Sequence, residues 1–226
     1  MTTEIRRPIS RAASTSRSDA WRFASACSTQ DPDEFFSTAT KDLADNKALC
    51  LSCPVITQCL TATLTQESGR YRFGIHGGLT PAQRLALVWE ERLHGHRPNL
   101  ETAQLLVTPR WRYVLYNLSR LTPEAAARRL GEAGIDTDAV TVRLALWWIG
   151  RPGNRLRQRV TRKEPETNRL LRLHTPLIRQ LRALGATHQD VAAYFGAPEP
   201  LVGRAVARLE KADKAALETT EMEMAA

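Results

Sequence analysis

Apolar residues recur at helical spacing through most of the second half of the chain. Val140, Leu144, Trp147 and Trp148 form an i, i+4, i+7, i+8 stripe, and Leu177, Ile178, Leu181 and Leu184 form another. No stretch sustains the apolar–polar alternation of half-buried strands, so the pattern predicts a mostly α-helical protein. Boundary residues agree with it. Thr122 is placed to cap a helix with Pro123 at its first position, and Gly134 breaks the chain before the next helix. Further on, Gly185 closes one helix and Thr187 caps a second, whose Val191, Ala192 and Phe195 face inward. Gly196-Ala197-Pro198 make a tight turn into a third helix carrying Val202, Val206 and Leu209. Three short helices with a small-residue turn between the last two predict a helix-turn-helix unit over 175–212, and 109–150 reads as a second helical unit of that type. The longest apolar runs, such as LALWWI at 144–149, fall far short of the roughly 20 residues a membrane span needs. The N-terminal residues lack the apolar core of a secretory signal, so a cytoplasmic location is expected.

Around these units the spans divide by composition. Residues 1–19 are a Ser-, Arg- and Thr-rich tail expected to be disordered, and 20–90 form a compact segment holding every cysteine. HGHRPN opens a linker at 91–108, a basic linker fills 151–174, and 213–226 form an acidic tail expected to be mobile. The formal charge is +8. Residues 1–90 carry 10 Lys/Arg against 9 Asp/Glu, whereas 91–226 carry 22 against 15. A basic half joined to a neutral half points to a polyanion-binding part attached to something else. On the third helix of 175–212, Glu199, Arg204 and Arg208 are candidates for base edges or phosphates of DNA. Arg155, Arg157 and Arg159 in the basic linker are candidates for phosphate neutralisation, with affinity that falls as salt rises.

The four cysteines change the picture of the first 90 residues. Cys27, Cys50, Cys53 and Cys59 are spaced C-x22-C-x2-C-x5-C. In a reducing compartment clustered thiols indicate a metal or redox site rather than a disulfide framework. Four thiolates suit tetrahedral zinc or a 4Fe–4S cluster. Zinc ribbons show two local knuckles; one knuckle, one nearby cysteine and one distant one lean towards iron–sulfur. A rival reading makes Cys50 and Cys53 a thiol–disulfide pair of an oxidoreductase, against which no βαβ pattern is seen. Further along, Gly74-Ile75-His76-Gly77-Gly78 is a tight turn in which Gly74, Gly77 and Gly78 permit positive φ and close backbone approach. No preceding strand or following Lys supports a phosphate-binding loop there.

Four features in order resemble the WhiB-like family of actinobacterial transcription factors. Ala26-Cys27 is followed by Asp31-Pro32 and the pair Phe35-Phe36; then come Cys50-x-x-Cys53-Pro54-Val55-x3-Cys59, the glycine turn, and Leu79-Thr80-Pro81-Ala82-Gln83-Arg84. The resemblance covers residues 21–89. It implies a small helical domain around a 4Fe–4S cluster held by Cys27, Cys50, Cys53 and Cys59, reactive towards oxygen or nitric oxide, in a regulator that is not an enzyme. It also implies binding of the C-terminal region of the primary sigma factor through Trp21, Phe35, Phe36 and the third residue of the turn. That third residue departs from the family: His76 stands where the family has Trp, which is expected to make the contact weaker, pH-sensitive or directed elsewhere.

Overall fold

The computed structural model describes residues 17–37, 39–67, 71–151 and 166–224. Among them are two short 3₁₀ helices, Arg17–Ala24 and Pro32–Phe36, and ten α-helices with no strand beyond one isolated bridge between His76 and Leu79. The helices are α1 (Thr40–Leu51), α2 (Ile56–Gln66), α3 (Pro81–His94), α4 (Leu100–Val107), α5 (Pro109–Leu118), α6 (Pro123–Glu132), α7 (Ala139–Trp148), α8 (Glu166–Ala183), α9 (His188–Phe195) and α10 (Glu199–Met224). The mostly α-helical expectation holds. No single described helix is long and apolar enough to cross a membrane, and the α1–α2 pair is bent by 114°.

Local chemistry explains the boundaries. Thr80 starts α3 with a capping box, its hydroxyl accepting from the Gln83 N–H while Gln83 returns to the Thr80 N–H. Thr187 and Asp190 do the same for α9, and Thr122, Asp138 and Asn99 cap α6, α7 and α4. Gly196 adopts the left-handed conformation that ends α9.

Three helical stretches differ from the sequence reading. The segment 91–108 contains the last turn of α3 and all of α4, whose Ala103 and Leu106 are buried. α8 begins at Glu166, inside the basic linker, and runs through Pro176 because fully buried Leu170 anchors its first half beside Ile178 and Leu181. The Thr175 hydroxyl meanwhile satisfies the Leu171 carbonyl at 2.6 Å. α10 continues through most of 213–226, a stretch rich in Ala, Glu and Met that favours helix without needing a packed face. The N-terminal residues 1–16 lie outside the described residues.

Two apolar cores organise the molecule, and α3 serves both. Ile56, Leu60 and Leu79 share the first core with Ala86 and Leu87 of α3 and with the buried faces of α4, α5, α6 and α7. Trp89 of α3 enters the second, among Ile178, Val191, Phe195, Val202 and Val206 of α8–α10. α7 lies between them. Every residue from Val140 to Trp148 is buried, and its only charged side chain, Arg143, meets fully buried Glu90 of α3 at 2.5 Å.

Candidate functional site

The four cysteines come from three local structures. Cys27 sits in the turn after the first 3₁₀ helix, where the Gln30 N–H bonds its carbonyl. Cys50 lies in the last turn of α1, Cys53 in the α1–α2 turn, and Cys59 about one turn into α2. All four line one small cavity of about 20 Å³, together with Ala26, Leu49, Ile56 and Gly77. Cys27 is exposed and the other three are half-buried. Among the described residues no three Cys, His, Asp or Glu side chains converge on one point as ligands of a single ion.

Backbone N–H groups point at the sulfurs. The Ala26 N–H donates to Cys53 Sγ at 3.4 Å. Gly78 and Gly77 donate from their backbone to Cys50 and Cys59. Burial pushes the Cys50 thiol up to about 11; the Gly78 N–H opposes this, and the sulfurs of Cys59, Cys27 and Cys53 add to it. Burial likewise raises Cys59. The bare thiols of Cys50 and Cys59 are therefore held protonated, whereas a bound cation deprotonates a coordinating thiol outright.

The glycine turn forms one wall. His76 and Leu79 exchange backbone hydrogen bonds at 3.2 and 3.0 Å, so Gly77 and Gly78 are the central pair of a two-residue turn, with φ of +54° and +72°. Positive φ at both central positions is the type I′ signature. Space imposes the same requirement. A Cβ on Gly77 would stand 2.5 Å from the Leu60 Cβ and 2.8 Å from its Cα. Gly77→Ala is therefore expected to destabilise the protein by about 3 kcal/mol, from backbone strain plus overpacking. Urea unfolding measures it, and a loss under about 1 kcal/mol would show that α2 yields freely.

Two side chains hold this turn from behind. Fully buried Arg84 forks onto Glu67, with Nε–Oε2 at 3.0 Å and Nη2–Oε1 at 2.6 Å. Its remaining N–H groups reach the carbonyls of Gly74, Leu79 and Phe73 at 2.8–2.9 Å. Trp148 of α7 donates its indole N–H to the Gly77 carbonyl at 2.8 Å. Arg84 was visible in sequence only as the end of a motif, and Trp148 only as part of an apolar stripe. Nothing in local spacing signals a partner 71 residues away.

The expected partner residues divide. Phe35 is turned inward at 8% exposure and its carbonyl accepts from the Ile75 N–H, so its role is packing; Phe36 is 54% exposed. Trp21 and His76 line a surface cleft with Tyr71 and Glu67. Exposed Tyr71 and Phe73 were not singled out by the sequence reading. Burial lowers the His76 pKa, Arg84 and Arg22 lower it further and Glu67 opposes them, so the imidazole on this face is neutral at pH 7.

At the other end, α8, α9 and α10 pack as three helices around one core, starting before and ending after the 175–212 span. Glu199 and Arg204 are exposed on α10. Arg208 is exposed as well and donates to Asn168 of α8 at 2.7 Å. Arg155, Arg157 and Arg159 lie outside the described residues. The expectation of a second DNA-reading unit at 109–150 meets a physical obstacle: α7, which would be its recognition helix, is buried on every face and cannot enter a groove.

A four-thiol cage closed by a glycine turn, joined to a helical extension, defines the class. Residues 21–87 match the family described as Transcription factor WhiB. Transcriptional regulator WhiB1 of Mycobacterium tuberculosis is 36% identical over 74 residues, 30% of this chain and 82% of that protein. WhiB of Streptomyces coelicolor is 34% identical over 67 residues, 30% of this chain and 74% of that protein. WhiB4 of M. tuberculosis is 38% identical over 71 residues, 30% of this chain, and the chain spans only 55% of its length. The chain belongs to the WhiB family. No solved structure matches it. All four cysteines and the glycine turn lie inside the matched segment; α4 to α10 lie outside it.

Proposed function

We propose that this protein is a cytoplasmic transcriptional regulator, not an enzyme, whose Cys27, Cys50, Cys53 and Cys59 hold a 4Fe–4S cluster and whose α8–α10 unit binds DNA. The observation that carries this reading is the shared cavity, with four sulfurs on its walls and N–H donors directed at three of them. Hydrogen bonds to sulfur and partial exclusion of solvent are the levers by which proteins tune iron–sulfur centres. Four sulfurs spread around a cavity favour a cluster over one zinc ion, which needs each sulfur about 2.3 Å from a single point. Such a cluster supplies a centre reactive towards oxygen or nitric oxide.

The chain's own residues then have distinct parts. The Gly77 and Gly78 amides orient Cys59 and Cys50, and the Ala26 amide orients Cys53. Trp21, Phe36 and neutral His76 offer an aromatic surface beside the cage for the C-terminal region of the primary sigma factor. Glu199, Arg204 and Arg208 face DNA from α10, with Arg155, Arg157 and Arg159 adding charge.

Iron, sulfide and zinc content of anaerobically purified protein tests the centre. About four iron and four sulfide per chain, with visible absorbance lost in air, are expected; one zinc and no iron would replace sensing with a structural staple. The same preparation titrated with duplex DNA should bind less tightly as salt rises, and salt-independent retention would remove the DNA assignment.

A further inference from the structure

Trp148 lies outside the segment matched to the family, yet it is built into the wall of the cage. Its indole N–H bonds the Gly77 carbonyl, and its ring fills the space above Gly78, where a Cβ would stand 2.8 Å from the indole Cδ1. The opposite side of the same two-residue turn presents its N–H groups to Cys59 and Cys50. The turn is thus gripped between two sulfurs and one indole.

From Trp148 the contacts continue along α7 to the DNA-binding unit. Arg143 stands one and a half turns earlier on that buried helix. It pairs with Glu90 of α3 and lies over the rings of Trp147 at 5.9 Å and Tyr194 at 5.5 Å. Tyr194 is buried in α9, which packs against α10, and it meets Phe195 edge-on at 5.2 Å. The turn, the Trp148 hydrogen bond, the α7 backbone and the Arg143 contacts therefore lead from the sulfurs to α9. Dense packing makes such a path hard to deform at one end alone.

We propose that Trp148 is the joint between the cysteine cage and the helix-turn-helix: filling the cage fixes the Gly77–Gly78 turn, the turn fixes Trp148, and α7 passes that constraint through Arg143 to α9. This rests on the reading of the cage as a metal centre. By reciprocity, DNA on α10 also steadies the cage. A competing route exists, since Arg84 holds the same turn and belongs to α3, which packs directly on α9.

Amide hydrogen exchange on the full chain separates the two routes. Protein as loaded is compared with chelator-stripped protein, and exchange is read within 188–195. Stripping is expected to speed exchange there about tenfold in the native sequence, within the usual range of coupling between sites. In Trp148→Phe, which keeps the apolar ring and loses the N–H, the change should fall below about twofold, with cooperative unfolding retained. Unchanged exchange in the native sequence, or a native-sized response in Trp148→Phe, overturns the proposal, and the second result assigns the coupling to α3. Should Trp148→Phe fail to fold, Tyr194→Leu breaks the path at its far end and is expected to blunt the response equally. Should elemental analysis find no metal, the metal reading fails separately. Alkylating the four thiols with N-ethylmaleimide then supplies the perturbation, with the same expected and overturning results.

Discussion

Arg84→Ala is expected to cost about 3–5 kcal/mol, the range for removing one partner of a buried ion pair. The guanidinium is fully buried and serves four acceptors at once: the Glu67 carboxylate and the carbonyls of Phe73, Gly74 and Leu79. Without it, Glu67 keeps Arg72 among the described residues, whose Nε stands 3.2 Å away, and the Phe73 and Gly74 carbonyls lose this donor while the Leu79 carbonyl keeps the His76 N–H. Each buried acceptor left unsatisfied costs about 1–3 kcal/mol on its own account. Lysine cannot reproduce the planar fork, so Arg84→Lys should recover little. Urea unfolding of the full chain gives the magnitude, and alkylation of Cys50 and Cys59 should quicken because the turn that shields them is released. A loss below about 1 kcal/mol would mean that the Glu67–Arg72 pair and Trp148 hold the turn unaided.

Removing either partner of the Glu90–Arg143 pair should be comparably severe, again about 3–5 kcal/mol, because the survivor is a charge sealed between two cores. Both side chains are buried; His94 lies 3.7 Å from Glu90, and the rings of Trp147 and Tyr194 lie against Arg143. The double replacement Glu90→Leu with Arg143→Met should recover most of that loss, since apolar residues of similar size avoid the desolvation of two charges. A double-mutant cycle on thermal or urea unfolding measures the difference. Additive losses would show that the two charges are stabilised by separate surroundings rather than by one another. This pair also differs from the surface ion pairs Arg179–Asp213 and Arg182–Glu210, which join α8 to α10 in water and contribute little each.

What the sequence by itself determined is local. Helix starts at Thr80, Thr122 and Thr187 follow from side chains that satisfy amides within three residues, and the left-handed Gly196 marks its own turn. The C-x2-C-x5-C spacing around α1 and α2 brings three sulfurs to one end of two helices, and the apolar stripes of α8–α10 mark three packed helices. α4 escaped because an eight-residue helix offers barely two turns of periodicity beside a Gly- and Pro-containing approach. The end of α10 escaped because a solvated helix needs no apolar stripe to announce it.

Only the tertiary structure decided which parts belong together. Phe35 and Phe36 are adjacent and chemically identical, yet Phe35 is turned inward with its carbonyl accepting from the Ile75 N–H, while the Phe36 ring lies over Gly74 and stays exposed. α7 carries the spacing of a recognition helix, and burial between two cores removes it from any groove. Trp148 reaches Gly77 across 71 residues, and Arg143 reaches both Glu90 and Tyr194. Such pairings depend on how helices settle against α3, a global balance of packing and desolvation that no spacing within the chain encodes.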